Sequence, residues 1–287
     1  MLIDVIQLTI YGIVLGSILT LGAIGISLIF GILRFAHFAH GDLMALGAYI
    51  GLGFLTVSGW PVWFALPAGM MGAAAVAIVL DQAVYRRIRR TQPVILLISS
   101  FGIALILRSA IQIFWGPSVQ NYSTGIQLPW RLGDIVINPD HVWIVLASVV
   151  LVIAMHLFLT RTRMGKALRA MSDNMDLALV SGIPAERVIM WTWVMGGCLA
   201  AAAGVMLGMD TRLHPMMGWN VLLPLFAAAI VGGIGRPYGA IAGGMLIGLA
   251  MELSTLVIEP SYKPAVAFAI MVLALVIRPQ GIVRGAH

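Results

Sequence analysis

The chain has 287 residues, 61% hydrophobic and 10% charged, with mean hydropathy +1.01, whereas a soluble domain is about half apolar and about a quarter charged. Its 17 Lys and Arg and 11 Asp and Glu residues are too few to clothe a soluble fold of this length, which excludes a cytosolic enzyme, a secreted disulfide scaffold and a disordered chain. The formal charge of +6 raises nucleic acid as a partner only until the basic residues are placed against a bilayer; no nucleic acid is expected after that.

The opening Met-Leu-Ile-Asp lacks the basic start of a secretory signal, so the first apolar run reads as a retained span. A hydrocarbon core of about 30 Å needs roughly 20 apolar residues per helix. Such runs occupy 6–30, 41–57, 62–81, 94–115, 142–160, 189–209, 219–235, 239–258 and 264–278. The expected fold is an all-α polytopic membrane protein, a bundle of about eight or nine transmembrane segments with some short or broken. Most prolines fall at or between segment ends; Pro67 and Pro224 lie inside segments and predict kinked or broken helices there. Glycines spaced by four, at 12 and 16, 47 and 51, 204 and 208, 239 and 243, and 244 and 248, predict close helix packing. No internal repeat is visible.

Arg86, Arg87, Arg89 and Arg90 follow the third segment, and Arg161, Arg163, Lys166 and Arg169 the fifth. The positive-inside rule therefore puts both of those ends in the cytoplasm. Strict alternation adds Arg34, Arg187, Arg236, Arg278 and Arg284, leaving Arg108, Arg131, Arg212 and Lys263 toward the other face. The expected topology has an external N-terminus, a cytoplasmic C-terminus and an external loop from Gly116 to His141.

Arg34 to Asp42 places ionisable groups between two apolar segments, as a cytoplasmic turn with solvated histidines or as a helix broken within the membrane. His37, His40, Asp42 and Glu252 are the candidate lining of a translocation path. Arg108 can snorkel to the interface, whereas the shorter Glu252 calls for a partner or a wet cavity; the two could also pair with each other. Residues 161–188 form the longest cytoplasmic stretch. Ser172 and Asp173 read there as N-cap and first-turn residues, Met175, Ala178 and Leu179 as an apolar stripe, and Gly182 with Pro184 as a stop. Such a helix could lie on lipid headgroups, but docking in a groove of a cytoplasmic partner is the favoured reading. The lone Cys198 excludes an intrachain disulfide and reads as a small buried hydrophobe. The glycine-dense run from Ile230 to Gly239 lacks the GxxxxGK[ST] pattern, and no other stretch supplies it. Transport by this chain would thus need a gradient, a passive path or an ATPase on another chain.

FAHGDLMALGAY (38–49), RTRMGKALRA followed by SGIPAERV (161–188), and IVGGIGRPYGAIAGGMLIGLAME (230–252) resemble, in order and spacing, LivH-type inner-membrane permeases of branched-chain amino acid ABC importers. The resemblance spans essentially the whole chain. It implies a single permease domain over 1–287 in the bacterial inner membrane, surrounded by lipid. The implied partners are a second related, LivM-like permease, two cytoplasmic ATPases of LivG and LivF type that carry ATP and Mg, and a periplasmic substrate-binding protein. This chain itself would hold no cofactor, metal or catalytic residue. The family's coupling segment falls on Ser172, Asp173, Asp176, Leu179, Gly182 and Pro184, and the FAHG signature on Phe38 to Gly41. The family commonly has Asn before FAHG, where this chain has His37. The expected function is half of a path for branched-chain or other amino acids, worked by alternating access. Relatives that import urea or short amides are an alternative. From the residues alone, a gradient-driven carrier and a membrane enzyme using His37, His40, Asp42 or His214 also stay open.

Overall fold

Long runs of Leu, Ile, Val, Ala and Gly fold as helices in hydrocarbon because only a helix satisfies its backbone within one segment. The computed structural model describes residues 2–89, 91–122, 129–278 and 280–282; Arg90, Pro279, Arg284 and the middle of the 116–141 loop lie outside them. In chain order the helices are α1 (Leu2–Leu33), α2 (Ala39–Ser58), α3 (Ala65–Leu80), α4 (Arg86–Ile88), α5 (Pro93–Trp115), α6 (Pro139–Arg161), α7 (Arg163–Asp173), α8 (Met175–Val180), α9 (Ala185–Asp210), α10 (Met217–Gly232), α11 (Pro237–Leu253) and α12 (Lys263–Ile277). A π-helical stretch, Asp81–Tyr85, joins α3 to α4. Among the described residues, 8 helices are long and apolar enough to cross a membrane, and α10 is a shorter apolar helix. The chain is an all-α integral membrane protein. Pro67 falls in the first turn of α3, where its missing N–H costs no helical bond, so the break expected there is not required; Pro224 does lie inside α10.

One end of the bundle carries Arg34, α4, α7, α8 and the turn at Gly233 and Gly235; it is the arginine-rich side. The opposite end carries the antiparallel hairpin of β1 (Trp130–Leu132) and β2 (Ile135–Ile137). Gln7 clamps that hairpin to α1: its Nε2 donates to the Val136 carbonyl at 2.8 Å and its Oε1 accepts from the Val136 N–H at 3.0 Å.

Helices α1, α2 and α9 are mostly buried, while α5, α6 and α12 present exposed faces such as Ile98, Ile106, Ile113, Val150, Ile153 and Val276. Lipid gives no hydrophobic drive for association, so close packing holds the centre. The four-spaced glycines do this: Gly12 and Gly16 meet Leu249 and Met245 of α11, while Gly244 and Gly248 meet Thr20 and Gly16 of α1.

Two breaks interrupt the bundle. α1 ends with Arg34 in the left-handed region (φ 55°), and the Arg34 Nη2 donates to the Ser172 carbonyl at 2.7 Å, fixing it at the arginine-rich surface. The chain then turns back inward. The Phe38 N–H donates to Ser100 Oγ at 3.1 Å, about 10 Å along α5 from its first residue at 1.5 Å per residue. Residues 34–42 are therefore a surface turn at Arg34 and a buried re-entry thereafter. On the hairpin side, Thr211–Met216 turns back inward to start α10. That helix has 16 residues, about 24 Å, and falls short of a full span. The first turns of α2 and α10 meet inside the bundle, Gly41 against Gly218.

The segment after α6 is two helices. Thr162 caps α7 by accepting from the Gly165 N–H, and Asn174 caps α8 by accepting from the Leu177 N–H at 3.0 Å. Ser172 and Asp173 are thus the last residues of α7, not the cap and first turn of the next helix. Asn174 takes the role because its extended backbone aims the amide oxygen at the turn that follows. Gly182, at φ 81°, and Pro184 end the segment as expected.

Replacing Gly248 with Leu forces a side chain into the α1 backbone and should cost about 1–3 kcal/mol or more. The midpoint of thermal unfolding in detergent should fall, while Gly102→Leu, whose Cβ meets nothing within 4 Å, should leave it unchanged.

Candidate functional site

The two meeting helix starts bring a charged pair into the bundle. Asp42, in the first turn of α2, is fully buried, and Arg108 projects from the middle of α5. The Arg108 Nε donates to Asp42 Oδ1 at 2.9 Å and Nη2 to Oδ2 at 3.0 Å, a two-pronged ion pair. The guanidinium also lies 5.0 Å from the ring centroid of Trp219 in the first turn of α10. One arginine thus ties together α5, α2 and α10. Arg108 does not snorkel and does not pair with Glu252, because Asp42 is within direct reach. Glu252 instead accepts from Lys263 Nζ at 2.7 Å, joining α11 to α12.

His37 and His40 are also buried. His37 Nε2 bonds Tyr85 OH at 3.0 Å, and its ring meets Trp193 edge-on at 5.0 Å; Tyr85 stacks on Trp193 at 4.8 Å. The π-helical stretch ends at Tyr85 and aims it into this cluster. His40 fits against Gly25, where a Cβ would collide with the imidazole, and its ring nitrogens have no partner among the described residues. Asp42, His37, His40 and Glu252 are thus embedded between helices, and none of them lines the three cavities that follow.

The largest of these cavities is an open basin of about 590 Å³ on the hairpin side, lined among others by Leu207, Asp210, Arg212, His214, Met217 and Asn220. Burial pushes the His214 imidazole below its ordinary range. A second, of about 180 Å³, lies at the arginine-rich side between Gln82, Arg86, Glu186 and Trp193. Arg89 closes that side by bonding Asp81 Oδ1 at 2.8 Å and Glu186 Oε1 at 3.1 Å. A third, of about 120 Å³, sits between Trp63, Trp143 and Met206. Among the described residues no group of three or more His, Cys, Asp or Glu could hold a metal ion.

Residues 8–275 match the family described as branched-chain amino acid transport system, permease component. The chain is 32% identical to the high-affinity branched-chain amino acid transport system permease protein LivH of Escherichia coli K12, over 94% of this chain and 92% of that protein. It is 30% identical to the corresponding permease protein BraD of Pseudomonas aeruginosa, over 96% and 94%. The chain belongs to this permease family. Among solved structures, PsaBC from Streptococcus pneumoniae in complex with Fab matches over 96% of this chain and 91% of that one, with TM-score 0.52 at 17% identity, a likeness of fold.

Within this permease, sequence reasoning found Asp42 and Arg108 as separate oddities and missed their pairing. Their separation of 66 residues carries no local signal; the only clue is that a buried charge demands a partner of opposite sign. The bond between His141 Nε2 and Asp210 Oδ1 at 3.2 Å, which ties α6 to the end of α9, was missed for the same reason.

Arg108→Met should strand a buried carboxylate and destabilise the permease by about 3–5 kcal/mol, whereas adding Asp42→Asn should recover most of the loss. Thermal unfolding of the two single variants and the double variant in detergent checks this. Additive losses would show that the pair is not coupled.

Proposed function

We propose that this permease is the transmembrane subunit of an ATP-driven importer in the bacterial inner membrane and forms half of a translocation path for branched-chain amino acids. A LivM-like permease supplies the other half. Two cytoplasmic ATPases of LivG and LivF type bind ATP and Mg, and a periplasmic protein delivers the substrate. The arginine-rich side faces the cytoplasm, by the asymmetry of Lys and Arg, which puts the N-terminus outside. The similarity to LivH and BraD along the whole chain supports the importer reading, as does the lack of any P-loop in the sequence.

The observation that carries the coupling role is the unburied apolar face of α8. Leu177, Leu179 and Val180 are 62%, 45% and 83% exposed beside the basic α7, at the end where the ATPases would bind. An isolated helix of 6 residues does not hold such a face in water without a groove to receive it. Asp176 sits in its first turn, where it complements the helix dipole.

The route from this face to the membrane interior is short. Ser172 lies against Gly31, and its carbonyl accepts from Arg34. A displacement of α7 and α8 by closing ATPases is therefore passed to the end of α1 and to the break that sets the start of α2. That start is bound through Asp42, Arg108 and Trp219 to α5 and α10. Rocking of packed helices about these joints is the alternating-access step. The Asp42 and Arg108 pair marks the depth of the path, with His37, His40 and Glu252 as supports that hold the moving helices. Buried residues held by partners, or in the case of His40 by a tight slot against Gly25, fit positioning better than contact with cargo.

The double variant Asp176→Lys with Leu179→Asp should lower the ATPase recovered with the tagged permease from native membranes by about tenfold or more, with recovery of the second permease unchanged. Normal ATPase recovery would remove the docking role of α8. ATP-dependent uptake of leucine by proteoliposomes holding the full complex tests the importer reading itself; uptake surviving ATP depletion would point to a gradient-driven carrier.

A further inference from the structure

The basin on the hairpin side is a built feature. α9 ends at Asp210, and the chain doubles back through Thr211–Met216. Leu213 holds this return in place by exchanging two backbone bonds with Gln120, at 2.8 and 3.0 Å. Tyr122 lies over Gly208 and donates to the Ala48 carbonyl at 2.8 Å. His141 fixes Asp210 from α6. The open basin they shape has about 590 Å³, within the roughly 300–1,000 Å³ of small-molecule sites.

Its lining divides in two. Leu207, Met217 and Val221 form an apolar wall, and Asp210, Arg212 and Asn220 a polar one. His141 engages Oδ1 of Asp210, and Oδ2 has no protein partner among the described residues. The exposed Arg212 guanidinium likewise has no hydrogen bond or ion pair there. One carboxylate oxygen of Asp210 and the Arg212 guanidinium, neither with a partner among the described residues, thus share a cavity with an aliphatic wall.

We propose that this basin receives the aliphatic amino acid of the importer reading on its way into the permease. Arg212 takes the carboxylate, Asp210 takes the ammonium, and Leu207, Met217 and Val221 take the side chain. A lone anion would meet the Asp210 charge and a lone cation that of Arg212; urea or a neutral amide can bond both groups but only with uncharged donors and acceptors, whereas a zwitterion meets each with an opposite charge and binds more strongly. The site lies beside the first turn of α10, whose Trp219 contacts Arg108. This assignment rests on the importer reading above and adds to it the residues that receive the cargo.

The test uses the complete importer in proteoliposomes, with its binding protein loaded with radiolabelled leucine. Arg212→Gln removes a partnerless exposed side chain, and Asp210→Asn keeps an acceptor for His141, so both variants should assemble. Each should lower leucine uptake by about tenfold or more, the effect of losing one charge-assisted bond. Docking of the loaded binding protein and basal ATP hydrolysis should be unchanged. Val221→Trp, which fills the basin without touching a charge, should have the same effect. Wild-type uptake in all three variants overturns the assignment and leaves the importer reading intact. A loss confined to binding-protein docking also overturns it, because Arg212 would then contact that protein. Absence of ATP-driven leucine uptake in the unaltered complex overturns the importer reading instead.

Discussion

A polypeptide inside hydrocarbon has no water to satisfy its backbone, and this permease is organised around two places where its helices break under that constraint. At the first, Arg34 to Phe38, the Arg34 N–H finds the Phe30 carbonyl and the Phe38 N–H finds Ser100, while the Arg34 guanidinium anchors the turn on Ser172. At the second, Thr211 to Met216, Leu213 borrows a strand-like exchange from Gln120. Each break has an exposed part, Arg34 in the first and Thr211 and Arg212 in the second, and an inner part enclosed by protein, Phe35 and His37 in the first and Leu213 and Pro215 in the second; that enclosure allows α2 and α10 to start inside the bundle and meet at Gly41 and Gly218. Without the enclosure neither start would be stable, and the Asp42 and Arg108 pair would have no frame.

The breaks also give the bundle joints. Continuous helices packed glycine on backbone, as α1 and α11 are, leave little room for their side chains to repack and so resist sliding past one another. A helix that starts in the interior can shift relative to its neighbours while the rest stays closed. The ion pair bounds that shift. Two charges held at 2.9 and 3.0 Å cannot separate in a low dielectric without a large cost, so α2 is tied to α5, and α10 joins them through the weaker contact of Trp219 with Arg108. The arginine-rich surface meets this group through Arg34 and Ser172, and the hairpin side meets it through the basin at the start of α10. One set of contacts thus lies between the place where ATPases would push and the place where cargo would enter.

The nine apolar segments expected from the sequence coincide with the observed helices to within a few residues, including the shortness of α10, because hydrophobic length is a local property set by bilayer thickness. The stretch 161–188 likewise contains short helices, α7 and α8, although the cap of α8 lies at Asn174 instead of Ser172. A cap depends on one residue's backbone angles, and three neighbouring polar residues of similar propensity do not separate by composition. Among the candidate path residues, the identities were readable as unusual charges at depth, but their surroundings were not. Asp42, His37 and Glu252 each acquire a partner from another helix, and His40 a slot formed by a glycine of α1.

The sequence by itself determined that the chain lives in a membrane, where its apolar helices lie to within a few residues, that it lacks the P-loop pattern, and to which family it is similar. All of these follow from hydrophobic runs, breakers and motifs, which are readable over a few tens of residues. The tertiary structure alone decided that Arg108 answers Asp42 and not Glu252, that two helix starts meet at Gly41 and Gly218, and that Asp210 and Arg212 share a basin with an aliphatic wall. Those outcomes depend on which helix faces approach one another. In a bilayer that choice rests on van der Waals fit and pairing of buried charges between residues far apart in the chain, and no local pattern encodes it.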